Sequence, residues 1–148
     1  MIISFDLDDT LIPGIKTFPT EPQTLWHKLF SREKLRSGTI SLMKALQGKG
    51  HSVYIYTTSY RSPLYIRRLF FSYGIRVNKI INKRIHDETL RERAGIISKY
   101  PPAFSIDIHI DDSPGVAMEG GRYHFKTIII EENNTGWTDF ILAHLNRQ

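Results

Sequence analysis

Two short acidic clusters, Asp6-Leu7-Asp8-Asp9-Thr10 and Asp111-Asp112-Ser113, each follow directly on an apolar run. Carboxylates in such clusters can attack an electrophilic phosphorus, shuttle protons and hold a hard cation. In an extended chain, Asp8 shares a side with Asp6 because it lies two residues on. So much like charge in one place is unfavourable unless a cation neutralises it. Oxygen ligands without His or Cys select magnesium over zinc. Hydroxyls collect at a third place, Thr57-Thr58-Ser59, and a polar, basic trio at a fourth, Asn82-Lys83-Arg84.

Apolar runs at residues 2–5, 53–56, 77–81, 106–110 and 127–130 read as strands, and each of the first four ends in one of these clusters. Helical periodicity falls between them at residues 37–49, 62–73 and 87–98, and again from Trp137 onward. Ser62-Pro63 supplies a cap and first-turn proline, and Gly74 a stop. The alternation predicts βαβ units with right-handed crossovers. The expected fold is therefore α/β: a doubly wound, mainly parallel five-stranded Rossmann-like sheet in three αβα layers. Parallel strands bring all four clusters to one edge, where open sheets of this kind bind ligands. The stretch 13–36, with Pro13, Gly14, Pro19 and Pro22, interrupts the first crossover and should project over that edge as a short flap. Asp107 and His109 interrupt the apolar pattern of the fourth strand. They are expected to pair structurally rather than act on substrate.

At 148 residues the chain is expected to form one domain, 1–148. Cysteine is absent, which excludes disulfides, thiolate nucleophiles and Cys-ligated metals. No apolar run approaches the roughly 20 residues of a membrane span. The first residues turn acidic without a basic flank, so no secretory signal is expected and the cytoplasm is the default compartment. The formal charge of +5 favours anionic partners, phosphorylated molecules or nucleic acid among them, without choosing between them.

Asp6-x-Asp8-x-Thr10 at the end of the first strand, Thr57 closing the second and Asp111-Asp112 closing the fourth resemble the motifs of the haloacid dehalogenase (HAD) superfamily of phosphatases. The likeness runs over nearly the whole chain. It implies a magnesium-dependent phosphomonoester hydrolase with Asp6 as nucleophile, forming an aspartyl-phosphate, and Asp8 as general acid and base. It further implies Mg2+ bound by Asp6, the backbone carbonyl of Asp8 and Asp111, with Asp112 as a further ligand or an orienting group. Thr57 would bind the phosphoryl oxygens, helped by the amides of Thr58 and Ser59, with Arg61 touching substrate. A lysine is needed to offset the remaining charge. Lys83, directly after the third strand, is the expected choice. Lys99, at the end of a helix leading into the fourth strand, is expected on the opposite edge, and Arg84 is the other alternative.

No gap between strands is long enough for a full cap domain. The site should therefore resemble that of capless or minimal-cap members, open to a phosphorylated substrate of any size, nucleic acid included only as substrate. Asp9 is expected to shape a turn. A catalytically inactive binding protein of the same fold, or a module that binds nucleic-acid or phosphoprotein ends, is the alternative function. A signalling receiver domain would carry its phosphoacceptor at the end of the third strand, where this chain has Asn82-Lys83.

Overall fold

The computed structural model describes residues 1–147. Five strands, β1 (Ile2–Phe5), β2 (Ser52–Tyr56), β3 (Lys79–Ile81), β4 (Ile108–Asp111) and β5 (Lys126–Ile129), form one sheet in the order β3-β2-β1-β4-β5. Every pairing is parallel. The chain winds outward from β1 through β2 to β3, then returns to lay β4 on the other side of β1. The order therefore reverses between β1 and β4, and a crevice opens at the carboxyl ends of those two strands. Asp6 follows β1 and Asp111 ends β4, so both acidic clusters stand on that crevice.

Alternation along the strands separates two faces. Ile3, Phe5, Val53, Ile55, Ile108 and Ile110 point to one of them. There they meet α2 (Thr39–Gly48), α3 (Pro63–Ser72) and α6 (Trp137–Leu145) through residues such as Leu46, Phe70 and Ile141. The other face carries Tyr54, Tyr56, Ser4 and His109, and its apolar cluster is small, built on Tyr56, Ile81, Phe104 and Ile106. This asymmetry accounts for the broken apolar pattern of β4. His109 is wholly buried but hydrogen-bonded, while Asp107 lies just before the strand and accepts from the Ile2 amide at 2.7 Å.

Local signals explain most element ends. Ser62 caps α3 by accepting from the Tyr65 amide, Pro63 opens the helix, and Gly74, at φ +73°, ends it. The third crossover departs from expectation. Instead of one helix over 87–98, α4 (Lys83–Leu90) starts at once behind β3, with Asn82 as its cap. It stops at Arg91, whose φ is +53°, and a 3₁₀ turn (Arg91–Gly95) follows. Residues 96–100 are irregular, and a second 3₁₀ turn (Pro101–Phe104) leads into β4. Pro101 and Pro102 open that turn, since proline suits the first turn of a helix but cannot continue a helix arriving from the N-terminal side. A further helix, α5 (Pro114–Tyr123), follows β4 and packs against β5.

The 13–36 stretch forms the expected flap. It is pinned at its base by the antiparallel bridge Thr20–Arg36 and carries the short helix α1 (Leu25–Phe30), none of whose residues is buried. Arg36 anchors its return. This buried guanidinium donates to the carbonyls of Glu131, Glu132 and Asn134 and lies over the rings of Phe18 and Trp137. Among the described residues, no helix is long and apolar enough to cross a membrane.

Candidate active site

Asp6, Asp8, Asp9, Thr58, Lys99, Asp111 and Asp112 line one cleft of about 310 Å³ at the carboxyl edge of the sheet. Asp6 is held there by its own amide, which donates to the Ile110 carbonyl at 2.8 Å and so continues the β1–β4 ladder. Carboxylate oxygens of Asp6, Asp111 and Asp112 lie within 4.8 Å of one another. Thr10 donates to Asp112 Oδ1 at 3.0 Å, tying the two acidic clusters together. Lys16, from the flap, pairs with Asp112 Oδ2 at 2.6 Å. Asp9 sits at φ +62° and accepts from the amides of Gly14 and Lys16, which gives it a turn-shaping role.

The cation at the centre is Lys99, not Lys83. Lys99 Nζ donates to Asp6 Oδ1 at 2.5 Å, to the Tyr56 carbonyl at 2.8 Å and to Asp111 Oδ2 at 3.4 Å. Lys83 occupies the first turn of α4 and pairs with Asp87 at 2.7 Å, while Arg84 pairs along the same helix with Glu88. The reason is the broken crossover. Because α4 begins immediately after β3, Lys83 is committed to a helix surface. Because helix ends by Leu90, the segment at Ser98-Lys99 is free to rise to the rim. Glu119 of α5 fixes it there by accepting from the amides of Ser98 and Lys99 and from the Ser98 hydroxyl.

Burial and charge tune the cluster. Burial pushes the Asp6 carboxyl up, the Lys99 charge pulls it down and Asp111 pushes it up again, with a net rise to about 6. Burial also disfavours charge on Asp111. The bond from His109 and the charge of Lys99 outweigh it and hold that carboxyl below the usual range. The Lys99 ammonium is disfavoured by burial, but Asp6 and Asp111 more than compensate and raise its pKa. Burial lowers His109 to about 4, so its imidazole is neutral near pH 7. A carboxylate can only accept. Nε2 of His109 therefore carries the proton toward Asp111 Oδ2 at 3.0 Å, and Nδ1 accepts from the Ser4 hydroxyl at 2.7 Å. His109 and Ser4 thus orient Asp111 from below, a role the alternating Ile-Asp-Ile-His-Ile pattern signalled only as a polar intrusion.

The remaining predicted residues divide. Thr57 is buried at the end of β2, and its hydroxyl accepts from the Ser59 amide at 3.1 Å. The Ser59 amide, expected to face phosphate, is therefore engaged inside the turn. Ser59 Oγ is buried without a partner among the described residues. Thr58 lines the cleft. The side chain of Asp8 turns toward Arg61, which donates to its Oδ2 at 2.9 Å. Arg61 is thus at the site, bound to a catalytic candidate. Its second partner, Glu33, leaves no local signal in the sequence.

Three convergent carboxylates with no His or Cys among them are a donor set suited to Mg2+. Lys99 engages Oδ1 of Asp6 and Oδ2 of Asp111, while Oδ1 of Asp111 accepts from the Ser113 amide at 2.9 Å and keeps a second lone pair for a cation. The residues fit a hard divalent cation.

Fold and site together define an α/β protein with a carboxylate–lysine cluster at the switch point of a parallel sheet. No protein-family model matches the chain, and a search of curated proteins also returned no match. Among solved structures it is similar to a chain of the Pnkp1/Rnl/Hen1 RNA repair complex, with a TM-score of 0.56 and 12% identity. The alignment covers 87% of this chain and 42% of that one, so this chain spans less than half the length of its neighbour. At that identity the likeness is one of fold.

Proposed function

We propose that the chain is a magnesium-dependent phosphomonoester hydrolase of the HAD type. The observation that carries this reading is the approach of Asp6, Asp111 and Asp112 oxygens to within 4.8 Å, with Lys99 on Asp6. Phosphoryl transfer asks mainly for positioning and charge neutralisation, and a nucleophilic carboxylate between a lysine and a cation site offers both. An Asp6 oxygen forms a bond to phosphorus while the ester P–O bond breaks. The departing oxygen takes a proton from Asp8. Water then attacks the phosphorus of the aspartyl-phosphate, gives its proton to Asp8, and releases phosphate and the Asp6 carboxylate. Lys99 and the Thr57 turn stabilise charge on the phosphoryl oxygens, and His109 keeps Asp111 ionised and oriented. Bound Mg2+ would be held by Asp6, Asp111 and Asp112, with the Asp8 carbonyl, and would supply further charge neutralisation.

Turnover of p-nitrophenyl phosphate that requires Mg2+ and is lost in Asp6→Asn and Asp111→Ala supports this reading. Wild-type protein that is inert, or activity that survives Asp6→Asn, ends it. The flap is too small to enclose a substrate and the chain is basic, which favours bulky anionic substrates. Because the structural neighbour belongs to an RNA repair complex, phosphorylated oligonucleotide ends head the substrate panel, before phosphopeptides and small metabolites. A binding module without catalysis would instead hold nucleic acid independently of Mg2+ and lose it steeply with salt.

A further inference from the structure

Arg61 lies between β2 and α3, and two carboxylates divide its guanidinium. Nη1 donates to Asp8 Oδ2 at 2.9 Å. On its other side Nε reaches both oxygens of Glu33 at 3.1 Å, and Nη2 reaches Oε1 at 2.5 Å. Glu33 belongs to the flap. Its Oε2 also accepts from the Tyr65 hydroxyl of α3 at 2.8 Å. Ser31 Oγ meets that hydroxyl at 2.6 Å and accepts from the Glu33 amide at 3.0 Å. Burial opposes charge on Arg61, but its bonds to Glu33 and Asp8 overcome this and raise its pKa. A planar fork engaged this way has little rotational freedom, so the position of Glu33 dictates where Nη1 points.

We propose that Glu33 is a positioning residue that acts through Arg61 on Asp8, so that the flap forms part of the acid–base apparatus. This rests on the hydrolase reading, in which Asp8 exchanges protons with the leaving group and water. With Glu33 present, Arg61 touches Asp8 through one nitrogen and one oxygen. Without Glu33, Asp8 is the remaining carboxylate on Arg61, and the fork is free to swing onto both oxygens of Asp8 and occupy them. Tyr65 and Ser31 hold Glu33 against that movement. The flap then has a catalytic reason to close on α3, although no residue of its own short helix is buried.

The test uses the full chain with Glu33→Gln, Glu33→Asp and Tyr65→Phe. Two measurements are made: hydrogen exchange of the flap amides without substrate, and steady-state hydrolysis of p-nitrophenyl phosphate with Mg2+. Glu33→Gln is expected to speed exchange over residues 25–35 several-fold and to lower kcat roughly tenfold, with KM within about twofold, because Glu33 positions a group without touching substrate. Tyr65→Phe should give a smaller change of the same kind, and Glu33→Asp should recover part of kcat. An active wild type whose kcat is unaltered by Glu33→Gln would overturn the proposal. So would a loss shared equally by kcat and affinity that Glu33→Asp does not recover. Unchanged flap exchange in Glu33→Gln would also overturn the proposal, because Glu33 would then not tie the flap to Arg61. An inert wild type fails the hydrolase reading itself, and with it the catalytic role of Glu33.

Discussion

Lys99 Nζ bridges Asp6 and Asp111, at 2.5 Å from Oδ1 of the first and 3.4 Å from Oδ2 of the second. One buried ammonium thereby joins the carboxyl ends of the two strands that flank the switch point. It offsets charge that would otherwise hold β1 and β4 apart at that edge.

Lys99→Met should therefore destabilise the protein in metal-free buffer. Removing one partner of a buried ion pair leaves an uncompensated charge and costs about 3–5 kcal/mol. Urea unfolding measures this, and added Mg2+ is expected to restore part of the loss. Lys83→Met, which breaks only a partly exposed i,i+4 pair, should change stability by less than about 1 kcal/mol. Equal effects of the two substitutions would contradict the assignment of Lys99 as the central cation.

Within the buried cluster, the pH dependence of stability has two opposed parts. His109 is lowered from 6.5 to about 4 on folding, so the unfolded chain takes up its proton first as pH falls. Its contribution is complete above pH 6.5 and is lost as pH falls toward 4. Asp6 is raised from 3.8 to about 6, so there the folded protein takes up the proton first. That contribution grows as pH falls from 6 toward 3.8 and partly cancels the loss from His109. Asp6→Asn removes the cancellation. In chelator-treated protein, the variant should lose up to about 3 kcal/mol between pH 6.5 and 4, while the wild type changes less. Parallel urea-midpoint curves for the two proteins would refute this account of the buried cluster.

Arg36→Met should act on a different part of the molecule. The side chain supports three carbonyls of the segment after β5 and lies over two aromatic rings. Its loss should cost about 2–4 kcal/mol, since three carbonyls lose a charged donor inside the protein. Thermal melting followed by the fluorescence of Trp137 and Trp26 would register it. Unaltered melting would mean that the anchor contributes nothing.

Much of this arrangement was legible in the sequence, for identifiable reasons. Apolar runs ending abruptly in Asp6, Thr57 and Asp111 located β1, β2 and β4, because strands buried on both faces tolerate few polar residues. Ser62-Pro63 and Gly74 bounded α3 through cap chemistry. Lys99 is hidden because the helical periodicity at 87–98 runs on across Arg91 and Gly95 and so points to the opposite edge, whereas the helix ends at Leu90. The Glu119 contacts that hold Ser98-Lys99 are tertiary and leave no local pattern. Glu33 was equally silent. It lies 28 residues from Arg61, in a flap with no local pattern that points to a tertiary partner.

Reductive trapping shows whether Asp6 carries the phosphoryl group. Borohydride added during turnover with Mg2+ reduces an acyl phosphate, so mass spectrometry of the digested protein should find position 6 converted to homoserine. Neither Asp6→Asn nor chelator-treated protein should show the conversion. Steady hydrolysis with modification at Asp8 instead, or with no trapped residue at all, would contradict the account.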